Sequence, residues 1–278
     1  MSIVRHPAVA GMFYPGRVRE LSSMVRSMLH DAAPAPGEGN PPKAIIAPHA
    51  GYIYSGAIAA SAYARLTPLS KIVRRVVLIG PSHRVPLRGL AVPTAEMFAT
   101  PLGTVRVDRD AVQDILSLPQ VQALDRAHEH EHSLEVHLPF LQELFDDFAI
   151  VPLVAGHASD DAVAEVLERL WGGDETIFVI SSDLSHYHEY ETAKALDENT
   201  CRAIERLDTH GLDGERACGF VPVCGLLTIA KRRQLAVTTL DLRNSGDTAG
   251  DRKRVVGYGA WMFTEQATSG ATSHRAAD

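Results

Sequence analysis

Histidine is the side chain that most often binds a transition metal or moves a proton near neutral pH, and the thirteen histidines of this chain are unevenly placed. One follows the run Ala44-Ile45-Ile46-Ala47, within Pro48-His49-Ala50-Gly51-Tyr52. A second follows Val76-Val77-Leu78-Ile79, within Gly80-Pro81-Ser82-His83. A third follows Phe178-Val179-Ile180, within Ser181-Ser182-Asp183-Leu184-Ser185-His186-Tyr187. Each short apolar run reads as a buried strand, so each imidazole falls one turn past a strand end. One such histidine is explained by packing. Three at equivalent ends point to a shared metal site, because neutral imidazole suits zinc, copper and iron alike.

A fourth cluster, His128-Glu129-His130-Glu131-His132-Ser133-Leu134-Glu135-Val136-His137, interleaves imidazoles and carboxylates just before a helix. A solvated turn has the same composition, but loops at strand ends carry function. At least one of His132, Glu131 and His137 is therefore expected to reach the pocket. His6, His30, His157, His188, His210 and His274 read as structural or surface residues. Three widely set cysteines, Cys201, Cys218 and Cys224, suit reduced thiols. Cys218 and Cys224 are six apart, not the two-residue gap of a zinc knuckle. Each alone reads as a small buried hydrophobe, yet beside strand-end histidines either is a candidate third ligand. Asp183 either caps the next helix or fixes the tautomer and charge of His186 as a general base. With His49 and His83 alongside, the second reading is preferred. Tyr52 and Tyr54 belong to the pocket or to the core, and helix N-termini near Ser55-Gly56 and Ser182 offer N–H groups to an anion.

Alternating elements must position these residues. Strands are expected at 43–47, 75–79, 149–154, 176–180, 237–242 and 255–263, with helices at 21–29, 57–66, 110–116, 135–145, 160–170, 192–206 and 226–232. Residues 97–107 read as a hairpin, 33–42 as a surface loop, and 265–278 as a small, polar tail that frays. Near-continuous apolar strands separated by helices indicate an α/β three-layer sandwich with a mostly parallel central sheet. No repeat or linker divides it, so residues 1–264 are expected to form a single domain. Of its 278 residues 45% are apolar, enough for a large core. A formal net charge of -7 without a basic tract argues against nucleic-acid or anionic-membrane partners. No signal peptide or spanning segment is read, and a cytoplasmic protein is expected.

The motifs resemble the MEMO family, called protein B of the AmmeMemoRadiSam system in prokaryotes. The likeness rests on Arg5-His6-Pro7-Ala8-Val9-Ala10-Gly11-Met12-Phe13-Tyr14-Pro15, Ala47-Pro48-His49-Ala50-Gly51-Tyr52-Ile53-Tyr54-Ser55-Gly56 and Gly80-Pro81-Ser82-His83. It continues through Glu131-His132-Ser133-Leu134-Glu135-Val136-His137-Leu138-Pro139-Phe140, the 181–187 motif, Cys218-Gly219 with Pro222, and Gly257-Tyr258-Gly259. The family's fold is similar to that of class III extradiol dioxygenases, which hold ferrous iron with two histidines and a glutamate. By resemblance the metal ligands are His49, His83 and Cys218, with cysteine in place of that glutamate. Asp183 and His186 match pocket residues, His186 standing where the dioxygenases have an acid–base histidine.

The resulting expectation is a mononuclear non-haem iron redox enzyme, dioxygenase-like, acting on an unknown small substrate. Fe(II) is the expected metal, with zinc or copper as alternatives, and His186, Asp183 and His132 are the expected catalytic residues. The alternative is a non-catalytic peptide- or anion-binding or metal-handling module using the same pocket. The resemblance also implies an AMMECR-type protein and a radical S-adenosylmethionine enzyme as pathway partners.

Overall fold

The computed structural model describes residues 3–35 and 40–266. Twelve strands form one sheet among these residues: β1 (Val4–Arg5), β2 (Ala44–Ala47), β3 (Arg75–Pro81), β4 (Leu90–Val92), β5 (Met97–Thr100), β6 (Gly103–Val107), β7 (Val121–Ala123), β8 (Ala149–Ala155), β9 (Thr176–Ser181), β10 (His186–His188), β11 (Ala236–Asn244) and β12 (Val255–Thr264). The α-helices among them are α1 (Val18–Asp31), α2 (Tyr52–Tyr63), α3 (Arg109–Ile115), α4 (Asp125–Glu129), α5 (Leu138–Leu144), α6 (Asp160–Arg169), α7 (Tyr190–Glu205) and α8 (Phe220–Arg233). None of these helices is long and apolar enough to cross a membrane.

Strands β6, β8, β3, β9 and β2 run in that spatial order and are mutually parallel, while β12 joins β2 antiparallel and carries β11 on its other side. Their middles are apolar, mostly β-branched, and buried, as Val76–Ile79 and Ile177–Ile180 show, which a parallel sheet covered on both faces requires. The chain passes from β2 through α2 to β3 in one direction along the sheet, and from β8 through α6 to β9 in the other. Right-handed crossovers in opposite directions put those helices on opposite faces, completing an α/β sandwich of helix, mostly parallel sheet and helix. Such a reversal opens a crevice outside the carboxyl ends of the strands.

Several boundaries differ from the sequence reading. Helix α2 begins at Tyr52, five residues before the expected start, because Gly56 is helical rather than a turn. A Cβ at Gly56 would lie 2.7 Å from Met28 Sδ, so the glycine lets α1 approach α2 closely. Helix α8 begins at Phe220, six residues early, with Pro222 in the first turn where its missing N–H costs no helical bond. The helix expected at 135–145 divides into a 3-10 turn, Glu135–His137, followed by α5. Strands β1, β4, β7 and β10 are too short to leave a periodic signal. The expected frayed tail lies, from residue 267 onward, outside the described residues.

The amino-terminal segment is tied to the loop before α5 through buried charge. Arg5 pairs with Glu135 and also donates to the carbonyls of His128 (3.0 Å) and Glu131 (2.6 Å). Glu135, with no exposed surface, further accepts from Ala8 N–H (2.7 Å), Val9 N–H (3.0 Å) and Tyr14 Oη (2.5 Å). This single carboxylate therefore fixes both the segment and the loop. Removing one partner of a buried ion pair leaves an uncompensated charge. Arg5→Met is expected to lower unfolding free energy by about 3–5 kcal/mol, checked by urea denaturation; a loss below about 1 kcal/mol, the scale of a surface pair, would contradict the latch.

Candidate metal centre

Strands β3, β9 and β2 are neighbours, so the three strand-end motifs emerge side by side. Ala47 faces Ser181 in register, and Ile79 faces Ile180. Four residues of backbone separate β2 from α2, and within them His49 is locked twice. Its N–H donates to Asp183 Oδ1 (2.7 Å), and its Nδ1 lies 2.7 Å from Ser181 Oγ. The Ser181 hydroxyl gives its own hydrogen to the Ser133 carbonyl (2.6 Å). Its oxygen is then left to accept from Nδ1–H of His49, and the bare lone pair falls on Nε2.

His83 is set by the same logic with a stronger partner. Its N–H donates to Glu131 Oε2 (2.6 Å), and its Nδ1 stands 2.9 Å from Oε1. Glu131 is buried, which by itself raises a carboxyl pKa. The hydrogen bonds and electrostatic attraction of His83, with a further hydrogen bond from Ser133 N–H, outweigh this and hold it down at about 2. It is ionised, so His83 Nδ1 is the donor and Nε2 is the nitrogen left for an ion. A metal-binding histidine has this arrangement, its second nitrogen donating to a carboxylate or other acceptor.

The third imidazole comes from the loop. His132 N–H donates to Glu131 Oε1 (2.9 Å), its ring stacks on His83 at 4.7 Å, and Phe13 meets its edge at 4.9 Å. One nitrogen each from His49, His83 and His132 lie within 4.8 Å of one another. His132 Nδ1 is buried with no hydrogen-bond partner. Glu131 Oε1 lies 3.5 Å from that atom without completing a hydrogen bond; three converging imidazole nitrogens are a donor set that fits a divalent ion. Burial and neighbouring rings lower the His49 pKa well below the imidazole range, and burial brings His132 to about 4. Both are neutral and ready to ligate.

Cys218 approaches from the turn before α8, its Sγ 3.4 Å from His49 Nε2 and outside the mutual set of three histidines. The next residue must be glycine, since a Cβ at Gly219 would lie 2.4 Å from the Ser181 carbonyl oxygen. Burial and the Asp183 charge push the Cys218 thiol well up, so it is neutral unless an ion stabilises the thiolate. Cys224 points instead to the Thr209 carbonyl (3.7 Å), and Cys201 to Thr239 (3.4 Å).

The three histidines open onto a cavity of about 730 Å³ that is also lined by Asp183, His186, Tyr54, Tyr187 and Tyr258. Burial pushes Asp183 up to about 7 against the pull of the His49 and Ala50 N–H groups. Burial likewise lowers His186. Of the residues expected in the pocket, His49, His83, His132, Asp183, His186 and Tyr54 line it. Tyr52 is core, its hydroxyl bonded to the Val136 carbonyl (2.6 Å), and Glu131 lies behind the rings. His137 is buried with Nδ1 2.8 Å from Tyr63 Oη, away from the cavity. Sequence reasoning missed Ser181 and Ser133 as supports of His49, and Phe13 and Arg254 in the cavity wall. Ser181-Ser182 after an apolar strand was a usable signal; Arg254 left none.

Residues 5–262 match a family model described as Memo-like protein. A MEMO1 family protein of Aquifex aeolicus is 38% identical over 272 residues, covering 94% of this chain and 99% of its own. A MEMO1 family protein of Aeropyrum pernix is 37% identical over 282 residues, covering 92% and 98%. One from Metallosphaera sedula is 34% identical over 284 residues, covering 94% and 99%. Among solved structures, the uncharacterized protein JW3007 from Escherichia coli K12 matches with a TM-score of 0.51 at 13% identity, covering 79% of this chain and 98% of that one. That likeness concerns the fold.

His137 supplies a test of burial by pH. Burial lowers its pKa to about 3, below the roughly 6.5 of an unfolded histidine. Below pH ~6.5 the unfolded chain takes up a proton that the folded one refuses, so this contribution is intact above ~6.5 and lost as pH falls towards 3. In His137→Gln the slope of unfolding free energy between pH 6.5 and 4 is expected to shrink by about 1.4 kcal/mol per pH unit. Urea titrations of chelated protein read it; an unchanged slope refutes the assignment.

Proposed function

The chain belongs to the Memo-like protein family, and from that premise we propose that it is a metal-dependent redox enzyme, dioxygenase-like, acting on a small ring compound. The observation that carries this reading is the cluster of three histidines at the wall of a cavity, with His186 and Asp183 beside it. His49, His83 and His132 hold a divalent ion, and Cys218 stands ready as a further donor at the flank of His49. Three protein ligands leave coordination positions open, the mark of a catalytic rather than a closed structural site. We assign Fe(II), with zinc or copper as the alternatives this donor set also accepts. Bound iron supplies one-electron chemistry with dioxygen.

The chain's own residues do the rest. The aromatic wall of Phe13, Tyr54 and Tyr258 receives a ring and excludes water from its faces. A ring nitrogen of His186, half-buried and uncharged at neutral pH, takes the proton of a substrate hydroxyl. Asp183, whose Oδ1 is occupied by His49 N–H, retains Oδ2 to hold a proton or to balance a positive imidazole.

His132→Ala is expected to weaken metal retention by about a hundredfold, at or above the loss from removing an outer partner of a ligand. Cys218→Ser is expected to keep the ion. Metal analysis of protein purified without oxygen reads both, and the reverse result would transfer the third position to Cys218. With iron in place, His186→Gln is expected to keep the metal and lower substrate-dependent oxygen uptake by about 10²-fold or more. Ligand binding unchanged in a His49→Ala, His83→Ala double variant, with no oxygen uptake by the parent protein, would favour the non-catalytic reading instead.

A further inference from the structure

Seven large hydrophobic side chains are exposed among the described residues, and four of them, Met12, Ile53, Tyr54 and Tyr187, line the one cavity above the histidine cluster. Scattered single apolar residues are ordinary on a protein surface; a concentration at the mouth of one cavity marks a ligand. The cavity volume, about 730 Å³, lies in the range of small-molecule sites.

One residue of the wall carries a permanent positive charge. Arg254 is exposed, forms no ion pair among the described residues, and places its guanidinium 5.1 Å from the centre of the Tyr187 ring. The carboxylates of the same wall are differently placed. Asp183 is buried and accepts from His49 N–H, and Asp251 accepts from Lys253 N–H (2.8 Å). Tyr187 itself has a left-handed backbone (φ 62°) and is 63% exposed. A bulky residue there is strained, and the ring has no core packing to offset the strain. Its ring lies beside the Arg254 guanidinium at the cavity wall.

We propose that the cavity selects a small aromatic carboxylate, its ring among the aromatic and apolar wall residues and its carboxylate on Arg254. This deepens the proposed function by naming the substrate class, and rests on that reading only in taking the cavity as the substrate site. A guanidinium holds a carboxylate by two charge-assisted hydrogen bonds, and Tyr187 reduces the freedom the side chain must lose on binding.

Calorimetric titration of the full chain, both as purified and after chelation, compares phenylacetate with neutral phenylacetamide. Phenylacetate is expected to bind about tenfold more tightly, the contribution of a charge-assisted contact. Arg254→Met abolishes that preference while leaving the affinity for phenylacetamide unchanged, and Arg254→Lys retains part of it. Equal binding of the two probes, a preference that survives Arg254→Met, or no binding of either would overturn the proposal. The chelated arm removes any contribution of an ion, so this result is independent of whether the histidines hold a metal.

Discussion

An imidazole offers a lone pair from one nitrogen only when the other keeps its proton, and the candidate centre depends on that constraint. At His49 the proton is kept by Ser181, whose own hydrogen is committed to Ser133. At His83 it is kept by Glu131, a carboxylate that hydrogen bonds keep ionised against the cost of burial. Two different acceptors thus orient two rings alike from strand ends that flank β9. The cluster is set by these supports as much as by the rings themselves, because a freely rotating imidazole would find water or a carbonyl instead.

Glu131 also spans two parts of the chain. The same carboxylate accepts from the backbone of His132 and Ser133, so the loop bearing the third histidine is shaped by the group that orients the second. Its carbonyl is held by Arg5, and Arg5 is held by Glu135 four residues further on. Imidazole rings, one ionised carboxylate and one buried ion pair therefore form a connected polar network inside an apolar core. Such a network is stable only when nearly every member is satisfied. The exception at the centre is His132 Nδ1, which lies 3.5 Å from Glu131 Oε1 without completing a hydrogen bond.

Much of this was legible in the sequence. Parallel strands share one direction, so motifs that follow three apolar runs necessarily gather at one edge, which is why His49, His83, Asp183 and His186 were readable without coordinates. The Cys-Gly turn at 218–219 was placed by resemblance to known motifs, and the structure brings its thiol to His49. Less accessible were the roles of Glu131, which lies behind the rings, and His137, which turned inward to Tyr63. Adjacent residues of one polar loop diverge by backbone geometry that no periodicity records. Arg254 was invisible for a different reason: its neighbour Tyr187 is 67 residues away and the two meet only through antiparallel pairing of β10 with β12.

The spans bridged by these contacts have a consequence for how the protein is made. Arg5 meets Glu135 across 130 residues, His49 meets Asp183 across 134, and Cys218 meets His49 across 169. Such distant pairings form late, after many nearer contacts have shortened the loops between them. The segment around Arg5 stays without its partner until Glu135 is in place, its apolar residues uncovered meanwhile. The imidazoles cannot converge until the strands that carry them have paired, so a place for an ion exists only once that part of the sheet is assembled.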